Sequence, residues 1–150
     1  VSRVHRLDKF VDARGWSLND IYNVVPQTPD SNWQINYSIL YPGIIKAWHR
    51  HKHQDDYFCV LKGNAQVGIF SDKPDSEGRL KAPEKHFIGE MNPQVIHIKA
   101  GEWHGLTCVG DEPCGLLYLV TNKYNPEEPD EERASWENFA PEGFWLPENK

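Results

Sequence analysis

Two of the seven histidines, His49 and His51, stand two residues apart in a stretch that closes on a carboxylate, W-H-R-H-K-H-Q-D-D over residues 48–56. In an extended chain, side chains two apart point to the same face. A tight turn after His51 brings Asp56 back on the neighbouring strand, and Gly63 permits the next turn. His104, after Gly101-Glu102-Trp103, opens a further strand. Imidazole titrates near neutral pH, so such a group can take up or deliver a proton; when neutral it is also a common metal ligand. A buried imidazole needs a hydrogen-bonding or metal partner. The other histidines carry less. His53 reads as part of a solvated face, and His5 and His86 as surface residues. His97, in Val95-Ile96-His97-Ile98, either lines the same site or packs.

The elements that must hold these groups are short strands. Trp33 to Tyr41 alternates Trp33, Ile35, Tyr37, Ile39 and Tyr41, the period of a half-buried strand. Ile44–His51, Tyr57–Leu61, Ala65–Phe70, His86–Ile88, Gln94–Ile98, Gly105–Val109 and Gly115–Thr121 follow, broken by Pro42-Gly43 and Lys62-Gly63-Asn64. Val4–Val11 and Trp16–Val25 read as strands on either side of the turn Asp12-Ala13-Arg14-Gly15. Many short strands with Gly and Pro between them indicate a sandwich or closed barrel. Ser71–Glu84 is polar and turn-rich, an exposed loop. A short helix is expected around Glu131–Asn138. No internal repeat or linker divides the sequence, so residues 1–150 are expected to form one domain.

Written as spacing, Gly43 to Gly63 is G-x5-H-x-H-x4-D-x6-G, which resembles the first cupin motif. Lys99-Ala100-Gly101-Glu102-Trp103-His104 stands in the place of the second, P-x-G-x-x-H. The resemblance implies an all-β cupin (jelly-roll) barrel. Beyond it, the chain resembles the dTDP-4-dehydrorhamnose 3,5-epimerase family from about Leu7 to Pro147. Asp12-Ala13-Arg14-Gly15-Trp16 is similar to that family's D-x-R-G-aromatic turn, and Gln34-Ile35-Asn36-Tyr37-Ser38 to its Q-x-N-x-S strand. Lys46-Ala47-Trp48-His49 stands where the family has R-G-x-H. Gly101 to Leu106 resembles G-x-x-H-G-F, Leu117-Tyr118 its L-Y, and Thr121 to Pro126 its T-x-x-Y-x-P. Trp136-Glu137-Asn138 and Trp145-Leu146-Pro147 resemble W-N-D and W-x-P.

That resemblance implies proton transfer α to a keto group, with His49 as base and Tyr118 as acid. His104 is a further candidate catalytic residue. Arg14, Gln34, Asn36, Lys46 and His51 match positions that contact the nucleotide sugar. It also implies a homodimer whose N-terminal strands contribute across the interface. Asp56 stands where the family has a Lys near the enolate oxygen, and Asn138 where it has the Asp that orients the base. With these changes His49, His51, Asp56 and His104 match the metal-binding pattern of cupins instead. Three imidazoles and a carboxylate suit one divalent ion such as Mn, Fe, Ni or Zn. Such a cation can replace the missing Lys as Lewis acid. No organic cofactor is expected.

Three functions follow as expectations. The first is an epimerase or isomerase acting on a nucleotide-linked 4-keto-6-deoxyhexose. The second is a metal-dependent cupin enzyme of another class, a dioxygenase, lyase or small-sugar isomerase. The third is a non-catalytic sugar-binding barrel. The net charge of −6, with acidic residues gathered in Pro126–Arg133, supplies no basic patch for nucleic acid. That acidic run reads as a solvated face. No apolar run approaches the roughly 18 residues of a membrane helix and no signal-peptide pattern opens the sequence. Cys59, Cys108 and Cys114, an odd number without metal-ligand spacing, read as buried free thiols of a cytoplasmic protein.

Overall fold

In the segment Asp56–Lys62, DYFCVLK, Phe58 and Val60 turn to one side and Tyr57 and Cys59 to the other, and all four are buried. A strand apolar on both faces requires packing partners on both sides. The computed structural model, which describes residues 2–147, supplies them. Its strands are β1 (Val4–Arg6), β2 (Lys9–Asp12), β3 (Gly15–Leu18), β4 (Gln34–Leu40), β5 (Ile45–Arg50), β6 (Asp56–Lys62), β7 (Asn64–Phe70), β8 (Glu84–Gly89), β9 (Gln94–Ile98), β10 (Trp103–Cys108), β11 (Cys114–Val120) and β12 (Glu132–Arg133). They form two five-stranded antiparallel sheets, ordered β1-β9-β6-β11-β4 and β12-β5-β10-β7-β8, with β2 and β3 as a separate hairpin. The two large sheets pack as a jelly-roll sandwich, the all-β fold expected.

Between the sheets lie Phe58, Val60, Val67, Ile69, Ile88, Ile96, Ile98, Leu106 and Leu116. Full burial of each such side chain contributes roughly 1.5–3 kcal/mol. The outer faces are covered by chain that is not strand. Ile21, Tyr22, Val24, Val25 and Trp33 lie over Tyr57, Cys59, Val95 and Leu119. The Tyr22 hydroxyl donates to the Leu117 carbonyl at 2.6 Å, fixing this cover to β11. On the other sheet, Phe144 and Trp145 of the C-terminal segment pack on Trp48, Phe70 and Trp103. Gly68 makes room for them: a Cβ there would stand 2.7 Å from Trp145 Cη2 and 2.9 Å from Phe144 Cε1.

Three expectations need correction. The helix around Glu131–Asn138 is absent; residues 132–133 form β12, paired with β5, and turns follow. A strand edge of β5 seeking a partner decides against a helix there. Strand structure in Trp16–Val25 stops at Leu18, because Asn19-Asp20 turn the chain into the cover over the first sheet. Val4–Val11 is two strands, β1 and β2, which belong to different sheets.

Candidate active site in the barrel

One bulge aims the histidines of β5. In the β5–β10 ladder His49 faces His104 while Gly105 faces Ala47, so Trp48 is an extra residue on β5. Trp48 is buried in the outer aromatic cluster and Arg50 lies over the Trp103 ring at 4.4 Å. His49 and His51, alternating with them, face a cavity of about 550 Å³ between the sheets. Asp56, His104 and Tyr118 line the same cavity, as do Gln34, Asn36 and Lys46.

His51, Asp56 and His104 form a tight group whose nearest ligand atoms all lie within 4.8 Å of one another. The Nε2 atoms of His51 and His104 are each 3.4 Å from Asp56 Oδ2. Their other ring nitrogens are committed: His51 Nδ1 lies 2.6 Å from the Asp130 carbonyl and His104 Nδ1 3.0 Å from the Glu102 carbonyl. A carbonyl only accepts, so both Nδ1 atoms donate and the neutral rings present Nε2 lone pairs to Asp56. Gln54 Nε2 donates to Asp56 Oδ1 at 2.8 Å, which fixes the carboxylate. Three acceptors converging in a buried site call for a cation among them, a proton or a metal ion. Burial alone would raise the Asp56 carboxyl; with protons on the Nε2 atoms of His104 and His51, their hydrogen bonds and charge hold it well below the usual carboxylate range. Burial lowers His51, yet Asp56 and the Asp130 carbonyl outweigh it and raise its pKa.

His49 is set apart from that group. Its Nδ1 is 3.0 Å from Glu131 Oε1, so Nδ1–H donates to the carboxylate and Nε2 is left free to accept a proton. Burial holds His49 below its ordinary value, with Glu131 pulling the other way and His104 adding to the lowering. Tyr118 lies on β11, opposite Asn36 in the ladder. Burial and then the Asp56 charge raise its phenol, against a hydrogen bond from Asn36.

The family model for the polysaccharide biosynthesis C-terminal domain matches residues 11–132. The chain belongs to this family. A probable low-salt glycan biosynthesis epimerase of Haloferax volcanii, Agl13, is 46% identical over 112 residues, which are 73% of this chain and 70% of that protein. The spore coat polysaccharide biosynthesis protein SpsL of Bacillus subtilis is 34% identical over 139 residues, 91% and 89% of the two chains. The crystal structure of a dTDP sugar isomerase from Desulfovibrio desulfuricans G20 superposes with a TM-score of 0.76, covering 90% of this chain and 84% of that one at 21% identity. The Legionella pneumophila dTDP-6-deoxy-D-glucose-3,5-epimerase, solved with dTDP-4-keto-L-rhamnose, gives 0.71 at 17% identity over 89% and 72%. At these identities the solved structures show that the fold is shared.

Within this polysaccharide biosynthesis C-terminal domain, most residues singled out in the sequence meet in the one cavity. Arg14 does not. It sits at the exposed tip of the β2–β3 hairpin, bound to Asp12 at 2.5 Å, and does not line the cavity of its own chain. Asn138 is not the partner of His49; that place is held by Glu131, seven positions earlier. The acidic run is a solvated face only in part: Glu127 and Glu128 are exposed, whereas Asp130 to Glu132 contact β5 and the turn after it. The Asp130 carboxylate accepts the backbone N–H groups of Lys52, His53 and Gln54 at 2.7, 2.9 and 3.2 Å. Glu131 holds His49, and Glu132 binds Arg50 at 2.7 Å. His97 packs outside the barrel, 2.7 Å from Asp55 and stacked on Tyr57. His53 is exposed, as expected. Of the thiols, Cys59 and Cys114 are buried but Cys108 is only half-buried. Lys123 and Tyr124 also line the cavity; Tyr124 is the Tyr of T-x-x-Y-x-P, to which the sequence attaches no site role, and Lys123 falls on an unspecified position of that motif.

Proposed function

We propose that this protein is a carbohydrate epimerase that inverts a carbon next to the keto group of a nucleotide-linked sugar, with a 4-keto-6-deoxyhexose as the substrate class. The observation that carries the reading is that a carboxylate-oriented imidazole, His49 with Glu131, and a half-buried phenol, Tyr118, line one cavity of about 550 Å³. That volume suits a sugar and part of its nucleotide. His49 Nε2 removes the proton α to the keto group, and the Glu131 carboxylate stabilises the imidazolium that forms. Tyr118 then delivers a proton to the carbanion carbon. Lys46 and Lys123, the lysines of the lining among the described residues, take the diphosphate, and Gln34 and Asn36 hold polar groups of the ligand. The names of the glycan and polysaccharide biosynthesis relatives support this reading.

The lone pairs of His51 and His104, with Asp56, fit a divalent ion of the Mn, Fe, Ni or Zn type. Such an ion supplies Lewis acidity and would compensate for the absence of a cationic side chain at position 56. The same triad favours a second reading, a metal-dependent cupin enzyme of another class. The two are separated by chemistry at carbon. The epimerase incorporates solvent deuterium into a 4-keto sugar nucleotide, and His49→Ala or Tyr118→Phe abolishes the incorporation. Absence of exchange across a panel of such sugars, by metal-replete protein, rules the epimerase reading out.

The reading takes residues 1–150 as one domain of a cytoplasmic homodimer. Supporting the dimer are Ile35, Tyr37, Ile39 and Tyr41, which leave an exposed apolar stripe on the edge strand β4, and the apolar hairpin residues Phe10, Val11 and Trp16. Pairing there brings the hairpin and its Arg14 towards a partner's cavity. Supporting a reducing setting are the three free thiols. Among the described residues, no helix is long and apolar enough to cross a membrane.

A further inference from the structure

The sulfurs of Cys108 and Cys114 are 3.1 Å apart. Cys108 closes β10 and Cys114 opens β11, so the pair stands where the chain leaves one large sheet and enters the other. Only the turn Val109–Pro113 separates them. Cys108 is half-buried with its Sγ 3.1 Å from the Leu40 carbonyl, and Cys114 faces Leu40 in the β4–β11 ladder. Cys59 belongs to a different environment, the cluster on the outer face of β6 with Tyr57, Val95 and Leu119.

We propose that Cys108 and Cys114 are a modification site: a dithiol that a low-molecular-weight disulfide converts to an intramolecular disulfide, stapling the two sheets where β10 passes into β11. The sulfurs need to approach by only about 1 Å to reach bonding distance. Half-buried Cys108 is the point of entry. Its thiolate attacks one sulfur of the oxidant and releases one thiol. The Cys114 thiolate then attacks the Cys108 sulfur and releases the second. Two protein thiols lose two electrons and two protons, and one disulfide becomes two thiols. Burial and then Cys108 push the Cys114 thiol up to about 12, which argues against Cys114 as the first attacker and leaves that step to half-buried Cys108. Exposed Asp111 and Glu112 in the turn favour a neutral oxidant over an anionic one.

The site also touches the function. Cys114, Leu116 and Tyr118 alternate along the same face of β11, and Leu40, Leu106 and Leu116 line the cavity. A staple at residue 114 therefore fixes the wall that carries Tyr118. Reduction restores the free pair.

The test uses the folded, full chain treated with bis(2-hydroxyethyl) disulfide, then alkylated in denaturant and mapped by mass. The expected product is two hydrogens lighter, has a single alkylated cysteine at position 59, and yields peptides joined between 108 and 114. Dithiothreitol reverses it, Cys59→Ser leaves it intact, and Cys108→Ser prevents it. Three alkylated cysteines, a persistent mixed disulfide on Cys108, or a crosslinked dimer overturns the proposal. Should Cys108→Ser not fold, the peptide map of the unsubstituted protein decides by itself. Because no step depends on turnover, the result is independent of the epimerase reading.

Discussion

Nδ1 of His49 lies 3.0 Å from Oε1 of Glu131, a contact between strand β5 and a residue 82 positions later in the chain. The carboxylate that orients the imidazole thus comes from the acidic segment beside β5, not from the W-E-N sequence around Asn138. Arg133 shares the same carboxylate at 3.0 Å and keeps it ionised, together with His49.

Glu131→Gln removes the charge while keeping the shape. The amide stabilises the imidazolium far less and can present the wrong group to Nδ1. The expected loss in kcat is on the order of 10²–10⁴, with an unchanged far-UV spectrum and thermal midpoint close to the parent. Steady-state rates on a keto-sugar substrate check it, and a variant with parental kcat removes Glu131 from the proposed dyad.

Metal retention is expected to follow the triad and not His49. Asp56→Asn and His104→Ala are expected to lose bound metal by elemental analysis, whereas His49→Ala keeps it. Asp130→Ala leaves the ligands in place but frees the N–H groups of Lys52, His53 and Gln54, so the turn that carries His51 loosens. Metal affinity, measured by competition with a chelator, is expected to fall about 10- to 100-fold.

How far the sequence reached depends on what kind of contact is asked about. The strand period of two is a local rule, so it put His49 and His51 on one face, and the turn at Gly101 placed His104 beside them on the neighbouring strand β10. Asp56 does not return on the neighbouring strand as expected: β6 belongs to the opposite sheet, so the carboxylate reaches the imidazoles across the cavity. The paired carboxylate of His49 is a long-range contact carried by a segment whose composition reads as solvated surface. Nothing local marks Glu131 off from its acidic neighbours. The C-terminal helix failed for a similar reason: β12 exists because β5 offers it an edge, which no window around residue 132 reveals. Arg14 fell on a recognisable motif, but a motif does not say whose cavity it serves.

Gly68→Val tests the seal on the outer face of the second sheet. The new methyls meet Trp145 and Phe144, which have little room to retreat because Trp48 and Trp103 back them. Overpacking of this kind is expected to cost about 2 kcal/mol. Denaturant midpoints read it directly, and a midpoint within error of the parent means that the C-terminal block packs elsewhere.

Acid stability should depend on Glu102. Burial raises its carboxyl, but two hydrogen bonds from Arg3 at 2.8 and 2.6 Å and one from the Lys99 N–H outweigh this and depress its pKa in the folded protein. A depressed folded pKa gives stability that is complete above the ordinary value of 4.5 and is lost as the pH falls towards the folded value. Glu102→Gln is therefore expected to be less stable than the parent at neutral pH, with the gap narrowing below about pH 4.5. Chemical denaturation at several pH values checks the sign.

Ile39→Asp places a charge on the exposed stripe of β4. Sedimentation of a dimeric parent should shift to the monomer with little change in thermal midpoint, since Ile39 is 45% exposed in the single chain. A variant that stays dimeric moves the interface elsewhere.

Residues 130–132 grip β5 in succession, Asp130 at the turn after His51, Glu131 at His49 and Glu132 at Arg50. During synthesis these grips arrive after every strand of both large sheets except β12 has been made. A ribosome-bound or prematurely terminated chain ending near Asn125 would thus own most of the barrel but not the anchors of His49 and His51. Competence for chemistry at His49 therefore waits for residues 130–132.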